Sequence, residues 1–180
     1  MEGLPDQELM ARVAAGDQTA FRLLARRHTP RALAIARRIL ANHALADEIV
    51  QEALLRVWTN APRWRPTAEL RTWLYRIVVN LCLDEKRRPQ PAPLEAAGDV
   101  ADPRADAARD LEARERDVLV SAAIDALPAR QRAAIVLTYQ EGLSNAEAAA
   151  VLDTSVGGVE TLLVRARRTL RAALGPSLDQ

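Results

Sequence analysis

Cysteine, histidine and aromatic residues are scarce in this chain of 180 residues. It contains one cysteine, Cys82, two histidines and six aromatic residues. A single cysteine excludes an internal disulfide and favours a reducing cytoplasm, and we expect Cys82 to be a small buried apolar residue. His28 and His43 lie near no recognisable nucleophile pattern, and no phosphate-binding glycine loop occurs. We therefore predict no enzymatic activity, no metal site and no cofactor.

The chain also lacks long apolar runs and segments in which apolar and polar residues alternate. No apolar run is long enough to span a bilayer, and the N-terminus has no hydrophobic signal core, so we expect no membrane insertion. With 49% hydrophobic residues, the chain can bury the core of one domain or of two small ones. No stretch alternates with period two, whereas apolar residues recur at helical spacing. The sequence therefore predicts an all-α fold.

Charge is distributed unevenly along the chain, although the formal net charge is only +1. Residues 60–90 carry a net charge of +4, and residues 160–175 carry +3. Residues 89–129, between them, carry −5. Two basic segments separated by an acidic stretch indicate two contacts with a polyanion.

Capping residues and apolar spacing divide the first half of the chain into helices. Asp6 is placed to cap a first helix that ends at Gly16, and Asp17 is placed to cap the next. Pro30 indicates the start of a following helix or a kink in it. A further helix is predicted over residues 44–60, and another follows it.

The second half begins with a segment rich in proline, alanine and acidic residues. This composition predicts a flexible linker over residues 89–110. Beyond it, helices are predicted near residues 111–126 and from Pro128 to about residue 141, with Gly142 as the stop. We therefore predict two small helical domains, residues 1–88 and 111–180, joined by the linker.

The end of the second domain has the anatomy of a helix-turn-helix. The capping-box pattern SNAE, from Ser144 to Glu147, begins a short helix, DTS makes a tight turn, and Ser155 caps a helix that ends near residue 173. In this motif the second helix enters the major groove with its N-terminal half towards the bases, while arginines further along attract phosphates. An ordinary helical hairpin with a solvated basic face is the alternative.

Half of the aromatic residues lie within residues 64–75, between arginines. Unstacked bases of a single strand offer flat faces on which aromatic rings and arginine planes stack, whereas a duplex presents only base edges. The segment over residues 64–88 therefore favours binding to melted DNA or to RNA. Alternatively, Trp73 could belong to the buried apolar face of a helix. That interpretation does not explain Trp64, which lies in a loop between two arginines.

Residues 45–58 predict a helix with polar residues along one side and apolar residues along the other. Carboxylates at i and i+4, Glu48 and Glu52, could ligate a metal in a helical metal-dependent enzyme, but no histidine accompanies them. A solvated acidic face and a docking surface for a basic partner helix both remain open.

Four blocks of sequence follow one another along the chain: DEIVQEALLRVW, LRTWLYRIVVNLCLDEKRR, LPARQRAAIVLTYQEGLSNAEAAAVL and SVGGVETLLVRARRTLRAAL. In this order they resemble the bacterial extracytoplasmic-function (ECF) sigma factors, over nearly the whole chain outside the linker. The resemblance implies sigma region 2 at residues 1–88 and sigma region 4 at residues 111–180. It further implies that the chain recruits core RNA polymerase to promoter DNA and that an anti-sigma factor controls it.

The resemblance also implies three sets of contact residues. The helix over 45–58 would dock on the clamp coiled coil of the largest polymerase subunits through Asp47, Glu48, Gln51, Glu52, Leu55 and Trp58. The loop and helix over 63–88 would read the melted −10 element through Arg63, Trp64, Arg65, Trp73, Arg76, Asn80, Lys86 and Arg87. Among these, Trp64 and Asn80 fall where the family captures a flipped base, and Lys86 and Arg87 would hold phosphates. The helix-turn-helix would read the duplex −35 element through Ser155, Glu160, Thr161, Val164, Arg165, Arg167 and Arg168.

Two positions depart from the pattern of the family. At Glu160 to Leu162 this chain has ETL, where the family often has a basic residue, serine and another basic residue. At position 148 it has alanine, where a larger aliphatic residue is common in the family. We therefore expect an altered −35 preference and a lighter core in the C-terminal domain. The main rival interpretation is a two-domain regulator that binds duplex DNA alone, for which the aromatic and arginine segment has no use.

Overall fold

The structure, a computed structural model, describes residues 3–66, 69–88 and 109–175. Within these ranges the chain is helical and has no strand. The α-helices are α1 (Asp6–Ala14), α2 (Gln18–Leu40), α3 (His43–Asn60), α4 (Leu70–Arg87), α5 (Arg109–Asp125), α6 (Ala129–Ile135), α7 (Asn145–Leu152) and α8 (Val156–Leu174). The all-α prediction is confirmed. The linker predicted over residues 89–110 lies outside the described residues except for the first two residues of α5.

Helices α1 to α4 form an N-terminal unit around the long helix α2. This helix packs against α1, α3 and α4, so that its apolar stripe meets theirs. Ile35 and Ile39 of α2 and Leu74 and Val78 of α4 are almost completely buried. Burial of each such side chain contributes about 1.5–3 kcal/mol. Cys82 is buried in the same core, as the sequence predicts.

The start of α1 differs from the prediction. Asp6 is the first residue of α1 and does not cap it, because the N-cap position is occupied by Pro5. The Asp6 carboxylate instead lies 2.7 Å from Nε2 of His28 and pairs with Arg27, both on α2. An aspartate before an apolar run resembles a cap in sequence, and only the fold reveals its partners more than 20 positions away.

Helix α2 begins as predicted but does not break at Pro30. Asp17 caps it by accepting hydrogen bonds from the backbone N–H groups of Thr19, at 2.8 Å, and Ala20, at 3.1 Å. Pro30 lies inside the unbroken helix, so the prediction of a helix boundary there is wrong. Proline removes one backbone hydrogen bond. Buried residues on both sides of it, such as Leu24 and Ile35, hold the helix against its neighbours.

Helices α5 to α8 form a C-terminal unit that ends in the predicted helix-turn-helix. The capping box is present, since Ser144 Oγ accepts from the backbone N–H of Glu147 and the Glu147 carboxylate accepts from the backbone N–H of Ser144. Asp153 makes the turn in the left-handed conformation, at φ 52°. Ser155 caps α8 by accepting a 3.0 Å hydrogen bond from the Gly158 N–H.

The helix predicted from Pro128 to about residue 141 changes type halfway. After α6 the chain forms a π-turn over Val136–Gln140, closed by a 2.9 Å hydrogen bond from the Glu141 N–H to the Val136 carbonyl. Gly142 then takes a positive φ of 68°, as its predicted role as a helix stop requires. The wider turn changes the direction in which Glu141 points, and the periodicity of the sequence gave no sign of it.

The two units pack against each other in this structure. Helix α4 contacts α7, and α2 contacts the π-turn and α6. No helix in the described part of the chain is long and apolar enough to cross a membrane.

Candidate functional site

An apolar groove lies between α2 and α3 on the surface of the N-terminal unit. Its volume is about 620 Å³, and its walls include Phe21, Leu54, Leu55 and Trp58. The rings of Phe21 and Trp58 meet edge to face, with centroids 5.1 Å apart. Leu55 is 57% exposed beside this aromatic pair. The groove can therefore receive an apolar side chain from another molecule.

The polar row of α3 borders this groove. Glu48, Gln51 and Glu52 are exposed, and Gln51 lines the groove itself. Glu52 accepts a 2.8 Å hydrogen bond from Arg56 one turn later, and Asp47 pairs with Arg37 of α2 at 3.1 Å. Of the six residues of α3 that the resemblance assigns to polymerase, Gln51, Leu55 and Trp58 line the groove, while Asp47, Glu48 and Glu52 lie elsewhere on the same helix. Sequence analysis missed Phe21 of α2, which completes the groove and is brought to it only by tertiary packing.

The aromatic segment forms a second surface, at the start of α4. Trp64, in the loop before α4, and Trp73, in its first turns, have ring centroids 6.5 Å apart with planes inclined by 40°. Both rings are half-buried and pack against the core. A small pocket of about 310 Å³ surrounds them, walled by Arg63, Arg65, Thr72, Arg76 and, from α7, Ala150. The structure therefore gives Trp64 a packing role as well as an accessible edge.

Asn80 lies outside that pocket, further along the same face of α4. Positions 73, 76 and 80 recur at helical spacing, so Trp73, Arg76 and Asn80 follow one another along the helix. Asn80 is exposed. Its amide is free to approach a ligand without any change in packing.

The basic end of α4 is partly neutralised. Arg87 is exposed and pairs with Asp84 at 3.3 Å. Lys86 is half-buried, and burial lowers its pKa, with the nearby positive charge of Arg132 acting in the same direction. Of Lys86 and Arg87, which the resemblance assigns to phosphates, only Arg87 is fully exposed.

Helix α8 presents one exposed stripe. Val159, Leu163 and Ala166 are buried against the C-terminal unit. The opposite side carries the residues predicted to contact the −35 element: Glu160, Thr161, Val164, Arg165 and Arg168.

Three of the side chains predicted to contact the −35 element, Ser155, Thr161 and Arg167, already have hydrogen-bond partners in α8. The Ser155 hydroxyl accepts the capping hydrogen bond, and the Thr161 hydroxyl donates a 2.8 Å hydrogen bond to the Gly157 carbonyl. Arg167 turns towards the edge of the stripe, where its Nε donates to the Leu163 carbonyl at 3.4 Å. Val164 is 60% exposed in the middle of the stripe. A helix with an exposed, arginine-ended stripe is the part of a helix-turn-helix that enters a major groove.

Comparison with known proteins agrees with this arrangement. Residues 24–91 match the family model "Sigma-70 region 2", and residues 117–170 match "Sigma-70, region 4". The chain is 38% identical over 173 residues to the ECF RNA polymerase sigma factor SigM of Mycobacterium tuberculosis, covering 94% of this chain and 85% of that protein. It is 31% identical over 186 residues to the ECF RNA polymerase sigma-E factor of Escherichia coli K12, covering 97% of each.

A solved structure resembles the whole chain. It is the structure of CnrH in complex with the cytosolic domain of CnrY, which matches with a TM-score of 0.70 and 31% identity over 97% of this chain and 99% of that chain. Sequence, family models and fold thus agree over both helical units and not over one motif alone. The chain belongs to the family of ECF RNA polymerase sigma factors.

Proposed function

We propose that the two helical units divide the work of a sigma factor at residues 1–88 and 111–180, joined by residues 89–110. The N-terminal unit docks on core RNA polymerase and opens the −10 element, and the C-terminal unit reads the −35 element as a duplex. The observation that carries the proposal is the presence of three separate exposed surfaces: the groove beside α3, the aromatic pocket at the start of α4, and the stripe of α8. A regulator that binds duplex DNA alone needs only the last.

The groove beside α3 is the polymerase-docking surface in this proposal. Leu55 and Trp58 offer apolar contacts, while Glu48, Gln51 and Glu52 surround them with polar and acidic groups. An apolar centre with a charged rim suits a basic partner helix, because the rim steers the partner and the centre excludes water.

The aromatic pocket handles the melted strand. The half-exposed edge of Trp64 stacks on an unpaired base, and the Asn80 amide forms hydrogen bonds with the edge of a flipped base. Arg63, Arg65, Arg76 and Arg87 hold phosphates on either side.

The stripe of α8 reads the −35 duplex. Glu160 accepts a hydrogen bond from a cytosine amino group, and Val164 contacts a thymine methyl group. Arg165, Arg167 and Arg168 neutralise phosphates and so position the helix without selecting a sequence.

The chain acts as a regulatory protein and not as an enzyme, and it works where RNA polymerase is, in the cytoplasm. CnrH was solved with the cytosolic domain of a second protein. Because this chain is similar to CnrH, the proposal includes a protein partner of the anti-sigma class that controls it. Capture of such a partner on the tagged chain from its host, followed by inhibition of transcription with the purified partner, tests this part.

Transcription by purified core polymerase on a genomic promoter library tests the proposal as a whole. Adding the chain is expected to produce transcripts from a small set of promoters that share −10 and −35 elements. An unchanged set of transcripts, together with no co-elution of the chain with core polymerase, would overturn it.

A further inference from the structure

Carboxylates of the C-terminal unit meet arginines of the N-terminal unit across the contact between the two. The acidic residues are Glu141, Glu147 and Asp153. The arginines are Arg31 and Arg38 of α2 and Arg71 and Arg76 of α4. Each of the four arginines pairs with one of these three acidic residues, so the contact is complementary in charge along its length.

Glu141 forms the centre of this contact. Its side chain is only 5% exposed. One carboxylate oxygen accepts from Arg31 Nε at 2.8 Å and the other from Arg38 Nη1 at 2.7 Å. Arg31 also donates through Nη2 to the Glu141 carbonyl oxygen at 2.6 Å. The π-turn before Glu141 and the left-handed Gly142 after it direct the carboxylate between the two guanidinium groups.

The other two acidic residues belong to the helix-turn-helix. Glu147, in the first turn of α7, accepts from Arg71 at 2.8 Å. Asp153, in the turn between α7 and α8, pairs with Arg76. Two arginines of α4 are thus engaged by the motif that is proposed to read the −35 element.

The arginines of α2 and α4 lie on one face, since Arg31 and Arg38 share Glu141, and Arg31 and Arg71 both act on the buried Tyr75. Burial raises the pKa of the Tyr75 hydroxyl, while the charges of Arg31 and Arg71 act to lower it. Arg76 also lines the aromatic pocket, whose far wall is Ala150 of α7. The face therefore runs from α2 to the surface assigned to the melted strand, and α7 covers its end.

We propose that Arg31, Arg38, Arg71 and Arg76 form a phosphate-binding face for promoter DNA, and that the carboxylates of the C-terminal unit fill it in the closed chain. The inference rests on the proposed function, because promoter DNA is taken as the ligand. Carboxylate and phosphate both pair with the planar guanidinium fork, so the acidic residues occupy sites that phosphates would take. DNA and the C-terminal unit compete for one face, and the closed chain binds DNA weakly on its own.

A triple substitution that removes the competing charge tests the idea. Glu141→Gln, Glu147→Gln and Asp153→Asn keep the size of each side chain. Glutamine preserves the capping box at position 147, and asparagine tolerates the left-handed conformation at position 153. The matched control is Glu8→Gln, Asp17→Asn and Asp117→Asn, which changes the net charge by the same amount and keeps the cap at position 17, since asparagine caps as well as aspartate.

Two measurements on the free chain follow. Small-angle scattering is expected to show a larger radius of gyration for the interface triple variant than for the control. Affinity for a labelled mixed-sequence DNA strand of about 20 nucleotides is expected to rise about tenfold more than in the control. The reason is that a larger fraction of the molecules has the arginine face uncovered and able to bind DNA. An affinity that rises no more than in the control would overturn the inference.

A variant of Arg31 and Arg38 tests whether these arginines bind phosphate or only hold the two units together. Arg31→Gln with Arg38→Gln also breaks the contact with Glu141, but it removes two of the proposed phosphate sites. This variant is expected to open like the triple variant without a gain in DNA affinity, and its affinity is expected to depend less steeply on salt. If it gains as much affinity as the triple variant, the arginines do not bind phosphate. Failure of the proposed function would look different, since the unmutated chain would then fail to support transcription by core polymerase.

Discussion

Arg132 of α6 donates a 2.8 Å hydrogen bond to the backbone carbonyl of Ile39 at the end of α2. The Arg132 side chain is 5% exposed, and its Nη1 also lies 3.5 Å from Oδ1 of Asp125. Burial lowers the pKa of Arg132. This buried link joins the two units beside the row of ion pairs around Glu141, and it satisfies one carbonyl of the helix end that has no partner within α2.

Loss of this link is expected to destabilise the chain. Arg132→Ala removes the donor to Ile39, and leaving a buried carbonyl unsatisfied costs about 1–3 kcal/mol. Urea unfolding measures the difference. Arg12→Ala is the control, because Arg12 forms only an exposed 3.5 Å pair with Glu8, and such pairs contribute about 0–1 kcal/mol. Equal losses for both variants would show that the link to Ile39 contributes nothing specific.

Leu55 is expected to matter for polymerase binding and not for folding. Because it is 57% exposed in the groove beside α3, Leu55→Ala should leave the free energy of unfolding within about 0.5 kcal/mol of the original. Its affinity for core polymerase is expected to fall about tenfold, or about 1.4 kcal/mol. Val118→Ala, at a valine that is 67% exposed on α5, is the matched control. A titration in which the two variants bind alike would rule out the groove as the docking surface.

Reversal of charge beside the groove gives a second test of the same surface. Gln51→Ala with Glu52→Arg places a positive charge where the proposal expects a basic partner helix. Holoenzyme formation should weaken and should weaken more at low salt, since repulsion between exposed charges is screened at high salt. Unchanged binding across the salt range would contradict an electrostatic role for α3.

Asn80 offers a test of promoter opening that is free of packing effects. It is exposed, whereas Trp64 and Trp73 pack against the core, so Asn80→Ala should keep the stability of the chain and its affinity for polymerase. Transcription from duplex promoters should fall about tenfold, corresponding to loss of about 1–2 kcal/mol of hydrogen bonding to a flipped base. Activity should recover partly on templates that are already mismatched at the −10 element. A variant that transcribes duplex templates at the normal rate would remove Asn80 from the site.

The two halves of the stripe on α8 should respond differently to substitution. Arg168→Ala is expected to weaken binding about equally on all sequences and to reduce the slope of log affinity against log salt by about one unit. Glu160→Ala should change the preference at one or two −35 positions, because it removes an acceptor for a cytosine amino group. Selection from randomised −35 sequences compares the variants. The reverse pattern, with Arg168 controlling preference, would show that the assignment of the helix is wrong.

Two adjacent glycines at the start of α8 should differ in their tolerance of alanine. A Cβ atom at Gly158 would clash with Thr154 Oγ1, whereas one at Gly157 would meet nothing within 4 Å. Gly157→Ala is expected to stabilise the chain by about 0.5–1 kcal/mol, and Gly158→Ala to be less stable than Gly157→Ala. Adding Thr154→Ala should rescue Gly158→Ala, as measured by thermal unfolding. Equal stability of the two single variants would mean that the turn relaxes freely.

Cys82 should be chemically inert while the chain is folded. Burial raises the pKa of its thiol to about 12 from an ordinary value of 9.0. Only the thiolate reacts with alkylating agents, so labelling at pH 8 should be about a thousandfold slower in the native chain than in urea. Because the folded pKa lies above the unfolded one, the corresponding stability is complete below about pH 9 and is lost as the pH rises towards 12. Rapid native labelling would show that Cys82 is accessible.

Local signals in the sequence were enough to predict most of the helices. The cap at Asp17, the capping box at Ser144, the stop at Gly142 and the cap at Ser155 each act within four residues, and the structure contains all of them. These interactions depend on near neighbours, which a sequence displays directly.

Interactions between distant residues could not be predicted in the same way. The partners of Asp6 lie on α2, and Glu141 pairs with residues more than 100 positions away. No spacing rule connects such residues, so the sequence made Asp6 resemble a cap and gave Glu141 no role. The π-turn before Glu141 also has no periodic signature, because it differs from an α-helix by a single inserted residue. The surfaces assigned to polymerase and DNA could be located along the chain, but the packing of Phe21 against Trp58 required the fold.

Reactivity of thymines in the −10 region towards permanganate tests the central claim most directly, because the reagent oxidises unpaired thymines. A promoter selected from the library is incubated with core polymerase, with the chain, or with both. The account predicts strong reactivity only when both are present, and weak reactivity when the chain carries Asn80→Ala. Binding of the chain alone to the duplex, with no reactive thymines even after core polymerase is added, would contradict it and would favour a regulator that acts on closed DNA.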